Sequence, residues 1–119
     1  MKIEQIIEIL NGELLSGEES IKDDVKMACG CDLMSDVLSY IKSDSTILLT
    51  GLTAPQVIYT SDTADIKTIC FVRGKRPGSN LIKLAQQRGM ILMCVDLPMF
   101  EACGRLYKAG LKGCSEHAR

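Results

Sequence analysis

Three stretches of the sequence repeat one arrangement of apolar and polar positions. TILLTGLTAP begins at Thr46, TICFVRGKRP at Thr68 and MILMCVDLP at Met90, so their starts are evenly spaced, 22 residues apart. In each stretch a nearly continuous apolar run leads into a short polar or glycine-containing turn, a proline and a helical pattern. Continuous apolarity is typical of strands that are covered on both faces, as in parallel sheets. The arrangement therefore predicts a series of β–α units.

Two further strands and five helices complete the predicted fold. A weaker copy of the pattern, VKMACGCD, begins at Val25, and ELLSG at residues 13–17 predicts a short strand before it. The helices are expected to begin near Ile3, Leu33, Ala54, Ser79 and Leu97. Right-handed crossovers then build an α/β fold with a mainly parallel five-stranded sheet and helices on both faces. We expect one domain over residues 1–113, followed by a frayed tail at 114–119.

Two of the helix starts have recognisable capping signals. The run from Thr53 to Gln56 has the spacing of a capping box, with Pro55 in the first turn, where its missing N–H costs nothing. Asp96 precedes Leu97 and Pro98 and is expected to be the N-cap of the last long helix.

The charge of the chain excludes some classes of partner. The 119 residues contain 14 Lys and Arg against 15 Asp and Glu, a formal net charge of −1. Such a balance provides no general attraction to nucleic acid or to an anionic membrane. No apolar run approaches the roughly 20 residues that span a bilayer, and the first ten residues contain acids, unlike a secretory signal. We therefore expect a cytoplasmic protein without nucleic-acid or membrane partners.

The turns that follow parallel strands are expected to meet at the carboxyl edge of the sheet, where open α/β folds bind ligands. Helix N-termini point to the same edge and favour anions. Arg73 directly follows its strand and is better placed than Arg76 to point over this edge. Neither GxxxxGK[ST] nor GxGxxG is present, so an ordinary turn is the alternative. The residues predicted to bind a small anionic ligand, a nucleotide or phosphometabolite, are Asp32, Thr50, Gly51, Thr53, Arg73, Gly74, Lys75 and Asp96.

The cysteines and the histidine offer little catalytic chemistry. Cys29, Cys70 and Cys94 lie in apolar runs, which predicts reduced and mostly buried thiols. Cys29 and Cys31 form a CxC motif without the second pair of a four-ligand zinc or iron–sulfur site. The only histidine, His117, lies in the tail. No catalytic residue, metal or cofactor is predicted. The alternatives are a small enzyme acting on a phosphorylated metabolite and a metal or redox sensor that uses the CxC cysteines.

Four segments, in order along the chain, resemble the stand-alone DRTGG-domain proteins of anaerobic bacteria. They are CGCDLMSDVLSYI, ILLTGLTAPQVI, ICFVRGKRPG and MFEACGRLY, and the resemblance covers about residues 13–111. The TGG segment of the family appears here as Thr50-Gly51-Leu52, and its Asp-Arg pair falls on Leu33-Met34. Related modules accompany CBS domains in regulated pyrophosphatases, occur in phosphotransacetylases, and are similar to the N-terminal domain of HPr kinase/phosphorylase.

The resemblance implies a role as well as a fold. In those settings the domain is a regulatory or dimer-forming module without catalytic activity, and small stand-alone versions are linked with iron-hydrogenase systems. We therefore expect a non-enzymatic regulatory homodimer. Met34, Met99 and Phe100 flank helix starts and are expected to remain exposed, as in an apolar contact surface.

Overall fold

The structure is a computed structural model that describes residues 1–40 and 45–117. Its helices are α1 (Ile3–Leu10), α2 (Met34–Tyr40), α3 (Pro55–Thr63), α4 (Ser79–Gln87), α5 (Met99–Lys108) and α6 (Cys114–His117). Its strands are β1 (Glu13–Ser16), β2 (Met27–Gly30), β3 (Thr46–Thr50), β4 (Thr68–Phe71), β5 (Ile91–Cys94) and β6 (Lys112–Gly113). A 3-10 turn covers Glu18–Ser20. Ile41 of the quoted CGCDLMSDVLSYI segment and residues 118 and 119 of the tail lie outside the described residues.

The strands form one sheet in the order β1-β5-β4-β3-β2-β6. β1 pairs with β5 in the antiparallel sense, and every other pair is parallel. The predicted α/β fold with a mainly parallel sheet is confirmed, and each long helix begins within two residues of its predicted start. The sixth strand, β6, was not predicted. It has two residues and directly precedes the tail at 114–119 that we expected to fray.

The handedness of the crossovers explains which helix covers which face. From β2 to β5 each connection moves one strand along the sheet in the same direction, so right-handed crossovers place α2, α3 and α4 on one face. The connection from β5 to β6 runs back across the sheet, which places α5 on the opposite face beside α1. The buried side chains fall into two clusters with this same division of helices.

The central strands are buried on both faces. All five residues of β3 are buried: Ile47 and Leu49 pack with α1 and α5, while Leu48 packs with α2, α3 and α4. All four residues of β4 are buried as well. Alternate side chains of a strand point to opposite faces, so a strand with helices on both sides needs an apolar residue at every position. The continuous apolar runs in the sequence have this cause.

Neither predicted capping residue caps a helix. The N-cap of α3 is Ala54, without a side-chain cap, because the residue before a proline is held in the extended conformation and Pro55 is the first helical residue. The N-cap of α5 is Pro98 rather than Asp96. The backbone N–H groups of Arg73 and Gly74 donate to the carbonyls of Leu97 and Val95, so that residues 95–97 are held in a loop.

Two other expectations meet different outcomes. Met34 was expected at the surface and is buried in the cluster that α2, α3 and α4 share, and Met99 is half-buried against the opposite cluster. Phe100 is exposed as expected. Cys114–His117 forms one helical turn after β6, and the domain boundary at residue 113 stays a prediction. Among residues 1–40 and 45–117, no helix has the length and apolar character to cross a bilayer.

The buried thiol of Cys70 makes the fold less stable as the pH rises into the alkaline range. Burial in β4 raises the pKa of this thiol from 9.0 to about 12. Below pH 9 the thiol is protonated in the folded and the unfolded chain alike. Between these two values only the unfolded chain ionises, so the free energy of unfolding falls as pH rises, by up to about 1.4 kcal/mol per pH unit from this group.

We expect the fall to be smaller in the Cys70→Ala variant, because the variant lacks this proton. Urea denaturation of both proteins between about pH 8 and about pH 10.5 measures the two slopes. The substitution also leaves a small cavity, which lowers stability at every pH but does not change the slope. If the free energy of unfolding falls equally steeply with pH in the two proteins, the raised pKa of Cys70 is wrong.

Candidate functional site

Asp32 joins the loops that follow β2 and β3. Its Oδ1 accepts a hydrogen bond from the hydroxyl of Thr50 at 2.9 Å and another from the backbone N–H of Gly51 at 2.7 Å. The N–H of Leu52 in turn donates to the Thr50 hydroxyl oxygen at 3.2 Å. Asp32 therefore positions the loop of the neighbouring strand, at the part of the chain that resembles the family TGG segment.

Arg73 lies across the same loop. Its Nη2 is 3.9 Å from Oδ2 of Asp32, and the two side chains are about half exposed, at 51% and 47%. A Cβ added to Gly51 would lie 2.1 Å from Nη2 of Arg73, so the guanidinium occupies the space that any larger residue would fill. Gly51 thus leaves room for the close approach of the arginine, and its backbone conformation is an ordinary one.

The backbone of the Arg73–Gly74 turn is strained and firmly held. Both residues have positive φ angles, 61° and 67°. This left-handed conformation is uncommon for arginine and costs about 1–2 kcal/mol. The N–H of Arg73 donates to the carbonyl of Leu97 at 2.8 Å, and that of Gly74 to the carbonyl of Val95 at 2.9 Å. These bonds to the loop after β5 hold the turn in a conformation that directs Arg73 toward Gly51.

The structure brings some of the predicted site residues together and leaves others apart. Asp32, Thr50, Gly51 and Arg73 contact one another directly. Asp96 is exposed and lies beside the Arg73–Gly74 turn. Its Oδ1 would be 3.5 Å from a Cβ added to Gly74. Thr53 is half-buried ahead of α3, and Lys75 is exposed beyond Gly74. Among the described residues, the side chain of neither forms a hydrogen bond or ion pair with Asp32 or Arg73.

The turns do not supply the backbone donors that the sequence suggested. The N–H groups of Gly51, Arg73, Gly74 and Lys75 all donate to acceptors within the protein. An anion at this edge would therefore depend on side chains and on N–H groups outside these turns, such as those in the first turns of α3 and α4, which have no intrahelical acceptor. Both helices have nine residues, and Pro55 removes one such donor from α3.

Arg76 belongs to a different surface. Its Nη1 lies 2.8 Å from Oε2 of Glu13 on β1 and 3.9 Å from Sγ of Cys94 on β5. The hydrogen bond and the charge of Glu13 raise the pKa of this guanidinium above its ordinary value. The structure thus separates the two arginines: Arg73 lies beside Asp32, and Arg76 pairs with Glu13.

A group of thiols that sequence reasoning missed lies around β2. Pairing of β6 with β2 matches Ala28 with Gly113, and it brings the next residues along, Cys29 and Cys114, next to each other. Burial, followed by the effect of Cys114, raises the pKa of the Cys29 thiol from 9.0 to about 12. Sγ of Cys103 would lie 2.7 Å from a Cβ added to Gly30. No local sequence signal indicated this grouping, because it depends on the packing of α5 against β2 and on the unpredicted strand β6.

These thiols do not favour a metal or redox site. A thiolate is the form that binds metals and reacts with oxidants, and a thiol with a pKa near 12 is protonated at neutral pH. Burial raises the pKa of Cys103 as well. Among the side chains that the structure describes, no three of Cys, His, Asp or Glu are grouped so that they could hold a metal ion.

Comparison with known proteins identifies a structural neighbour. No family model and no curated protein matches the chain. A crystal structure of the CBS and DRTGG domains of the regulatory region of Clostridium perfringens pyrophosphatase, complexed with its activator diadenosine tetraphosphate, has a TM-score of 0.69 at 15% sequence identity. The match covers 88% of this chain and 45% of that one, so this chain spans less than half of its neighbour. The resemblance to DRTGG domains is thereby confirmed at the level of the fold.

We expect Asp32→Ala to lower the free energy of unfolding by about 1–2 kcal/mol, because the hydroxyl of Thr50 and the N–H of Gly51 both lose their acceptor. Asp36→Ala is the matched control, since this exposed acid lies in the first turn of α2 and lacks both bonds. Its loss is expected to be smaller, on the scale of a helix-dipole interaction. Chemical denaturation of the two variants measures the difference, and equal losses would show that Asp32 is an ordinary surface acid.

Proposed function

We propose that the chain is a regulatory module that binds a small anionic ligand, a nucleotide or phosphorylated metabolite, at the carboxyl edge of its sheet. The observation that carries this proposal is the placement of Arg73. The guanidinium lies at this edge with about half of the side chain exposed. The strained turn directs it there, Gly51 leaves the space that it occupies, and the charge of Asp32 attracts it.

The guanidinium keeps donors for a ligand. Its distance of 3.9 Å from Asp32 is that of an ion pair rather than of a short hydrogen bond, for which 2.7–2.9 Å is usual. Arginine has five N–H donors in a planar fork that matches two oxygens of a phosphate. A phosphate can therefore bind on the exposed side of Arg73 while Asp32 holds the opposite side in position.

The charges around Arg73 favour a nucleotide over a bare phosphate ion. Lys75 adds a second exposed cation to the edge, but Asp32 and Asp96 offset the two positive charges. An ionised carboxylate repels phosphate and accepts hydrogen bonds from hydroxyl or amino groups. A ligand that has both a phosphate and such donors satisfies both kinds of side chain. The nucleotide bound by the Clostridium perfringens neighbour supports the same ligand class.

The contacts favour binding over catalysis. The carboxylate of Asp32 already accepts two hydrogen bonds and faces a cation, and the Cys29 thiol has a pKa near 12, so neither is prepared as a base or nucleophile. We accordingly propose a non-enzymatic module. We further propose that it acts as a homodimer, as the resemblance to DRTGG domains implies. Its expected cytoplasmic location stays a prediction.

We expect ATP or diadenosine tetraphosphate to raise the melting temperature of the protein, because a ligand that binds only the native state stabilises it. Inorganic phosphate is expected to have a much smaller effect at equal concentration. Titration calorimetry with the better nucleotide then gives the affinity. Absence of binding by nucleotides and by a panel of phosphorylated metabolites would refute the proposal.

We expect Arg73→Ala to weaken nucleotide binding by about 1.5–3 kcal/mol, the scale of a charged hydrogen bond, or roughly 10- to 150-fold in Kd. Arg76→Ala is the matched control, since it removes the same charge from a side chain that pairs with Glu13 instead. Its effect on the affinity is expected to be small. Equal losses in the two variants would indicate diffuse charge attraction rather than a site.

We expect Gly51→Ala to weaken binding without removing any charge, because the new methyl group takes the position of the Arg73 guanidinium. Gly78→Ala is the control on the same edge, where an added Cβ meets no atom within 4 Å. Thermal unfolding without ligand establishes that both variants fold. Unchanged affinity in Gly51→Ala would contradict a role for the placement of Arg73.

A further inference from the structure

Helix α5 presents an apolar stripe on its outer side. The stripe has the i, i+3, i+4, i+7 spacing of one helical face and consists of Phe100, Cys103, Gly104 and Tyr107. Phe100 is 86% exposed and Tyr107 63% exposed, whereas Ala102 and Leu106 on the inner side of the same helix are buried in the core. An exposed phenylalanine within an apolar patch is typical of a contact surface.

A cavity of about 340 Å³ lies beside the stripe. The stripe residues line one side, and small residues of the sheet edge and Leu111 line most of the other, including Ala28, Gly30 and Gly113. The lining is mainly apolar, and Lys112 is its one charged residue among those described. A protruding aromatic side chain next to an apolar cavity makes the surface self-complementary, which is the requirement for a two-fold symmetric contact.

The charges on α5 select a second copy in one orientation. Glu101 lies in the first turn and Lys108 in the last turn, seven residues apart and therefore on the same flank of the stripe. In an antiparallel pair of α5 helices, Glu101 of each copy faces Lys108 of the other. In a parallel pair this flank of the two copies lies on opposite sides of the contact, so Glu101 and Lys108 of the two copies do not meet. The midpoint between these two residues falls next to Gly104, where nothing lies within 4 Å of an added Cβ and two helices can approach closely.

We propose that this face of α5 binds a second copy of the chain. The two α5 helices cross in the antiparallel sense near Gly104, and Phe100 of each copy enters the cavity of the other. Glu101 of each copy pairs with Lys108 of the other at the rim. The inference rests on the homodimer of the proposed function and assigns its contact surface.

Analytical ultracentrifugation of the full chain tests the surface. We expect a dimer of the 13.0 kDa chain, and Phe100→Asp is expected to raise its dissociation constant about 30-fold or more, as the loss of a central aromatic anchor does. Leu38→Asp is the control, because Leu38 is an exposed apolar residue on the opposite face of the sheet, on α2. Its dissociation constant is expected to stay near that of the wild type. Circular dichroism verifies that both variants fold.

A charge exchange tests the orientation. Glu101→Lys and Lys108→Glu are each expected to weaken the dimer, and the double variant is expected to restore the wild-type dissociation constant. A double variant no tighter than the two single ones would overturn the antiparallel pairing. A wild-type dimer that Phe100→Asp leaves unchanged would overturn the α5 surface while the homodimer stands. A monomeric wild type across micromolar concentrations would refute the homodimer itself.

Discussion

The right-handed crossover of short β–α units is the constraint on which the rest of this structure depends. Because β2, β3, β4 and β5 follow one another across the sheet, three helices must share one face and the loops after these strands must lie side by side at one edge. The return from β5 to β6 then requires a helix on the other face. One rule of chain handedness thus determines both the candidate ligand edge and the position of α5.

Positioning of Arg73 illustrates how three loops form one arrangement. Asp32 comes from the loop after β2, Gly51 from the loop after β3, and the carbonyls of Val95 and Leu97 from the loop after β5. Each contributes a different physical effect: charge, free space, and acceptors that hold a strained turn. Arginine at a positive φ is otherwise unfavourable, and such strain persists where surrounding contacts determine the backbone.

The candidate ligand edge and the outer face of α5 are joined by residues 95–98. This segment accepts the hydrogen bonds of the Arg73–Gly74 turn and then leads directly into the helix that presents Phe100. The two proposed surfaces therefore share a short, well-packed connection: Val95 is buried, and Leu97 packs against the core beneath α5.

Much of the fold was determined by local sequence. Continuous apolar runs require strands with helices on both faces, and this reasoning located five strands and the starts of five long helices. The candidate site was predictable as a set of loops at one edge, because parallel strands end together. The contacts within the candidate site were not predictable, because the pairing of Asp32 with Thr50, Gly51 and Arg73 depends on which strands are neighbours.

Tertiary structure alone decided the remaining features, each through contacts between distant residues. The strand β6 exists because two residues without any apolar run pair with the free edge of β2. Asp96 is not a helix cap, because the turn after β4 holds the carbonyls on either side of it in a loop. Met34 is buried and Phe100 exposed, although both flank helix starts, because Met34 lies on the side of α2 that faces the core, while Phe100 lies on the outer side of α5. A pattern along the chain specifies which face of an element is apolar, but only packing determines what that face meets.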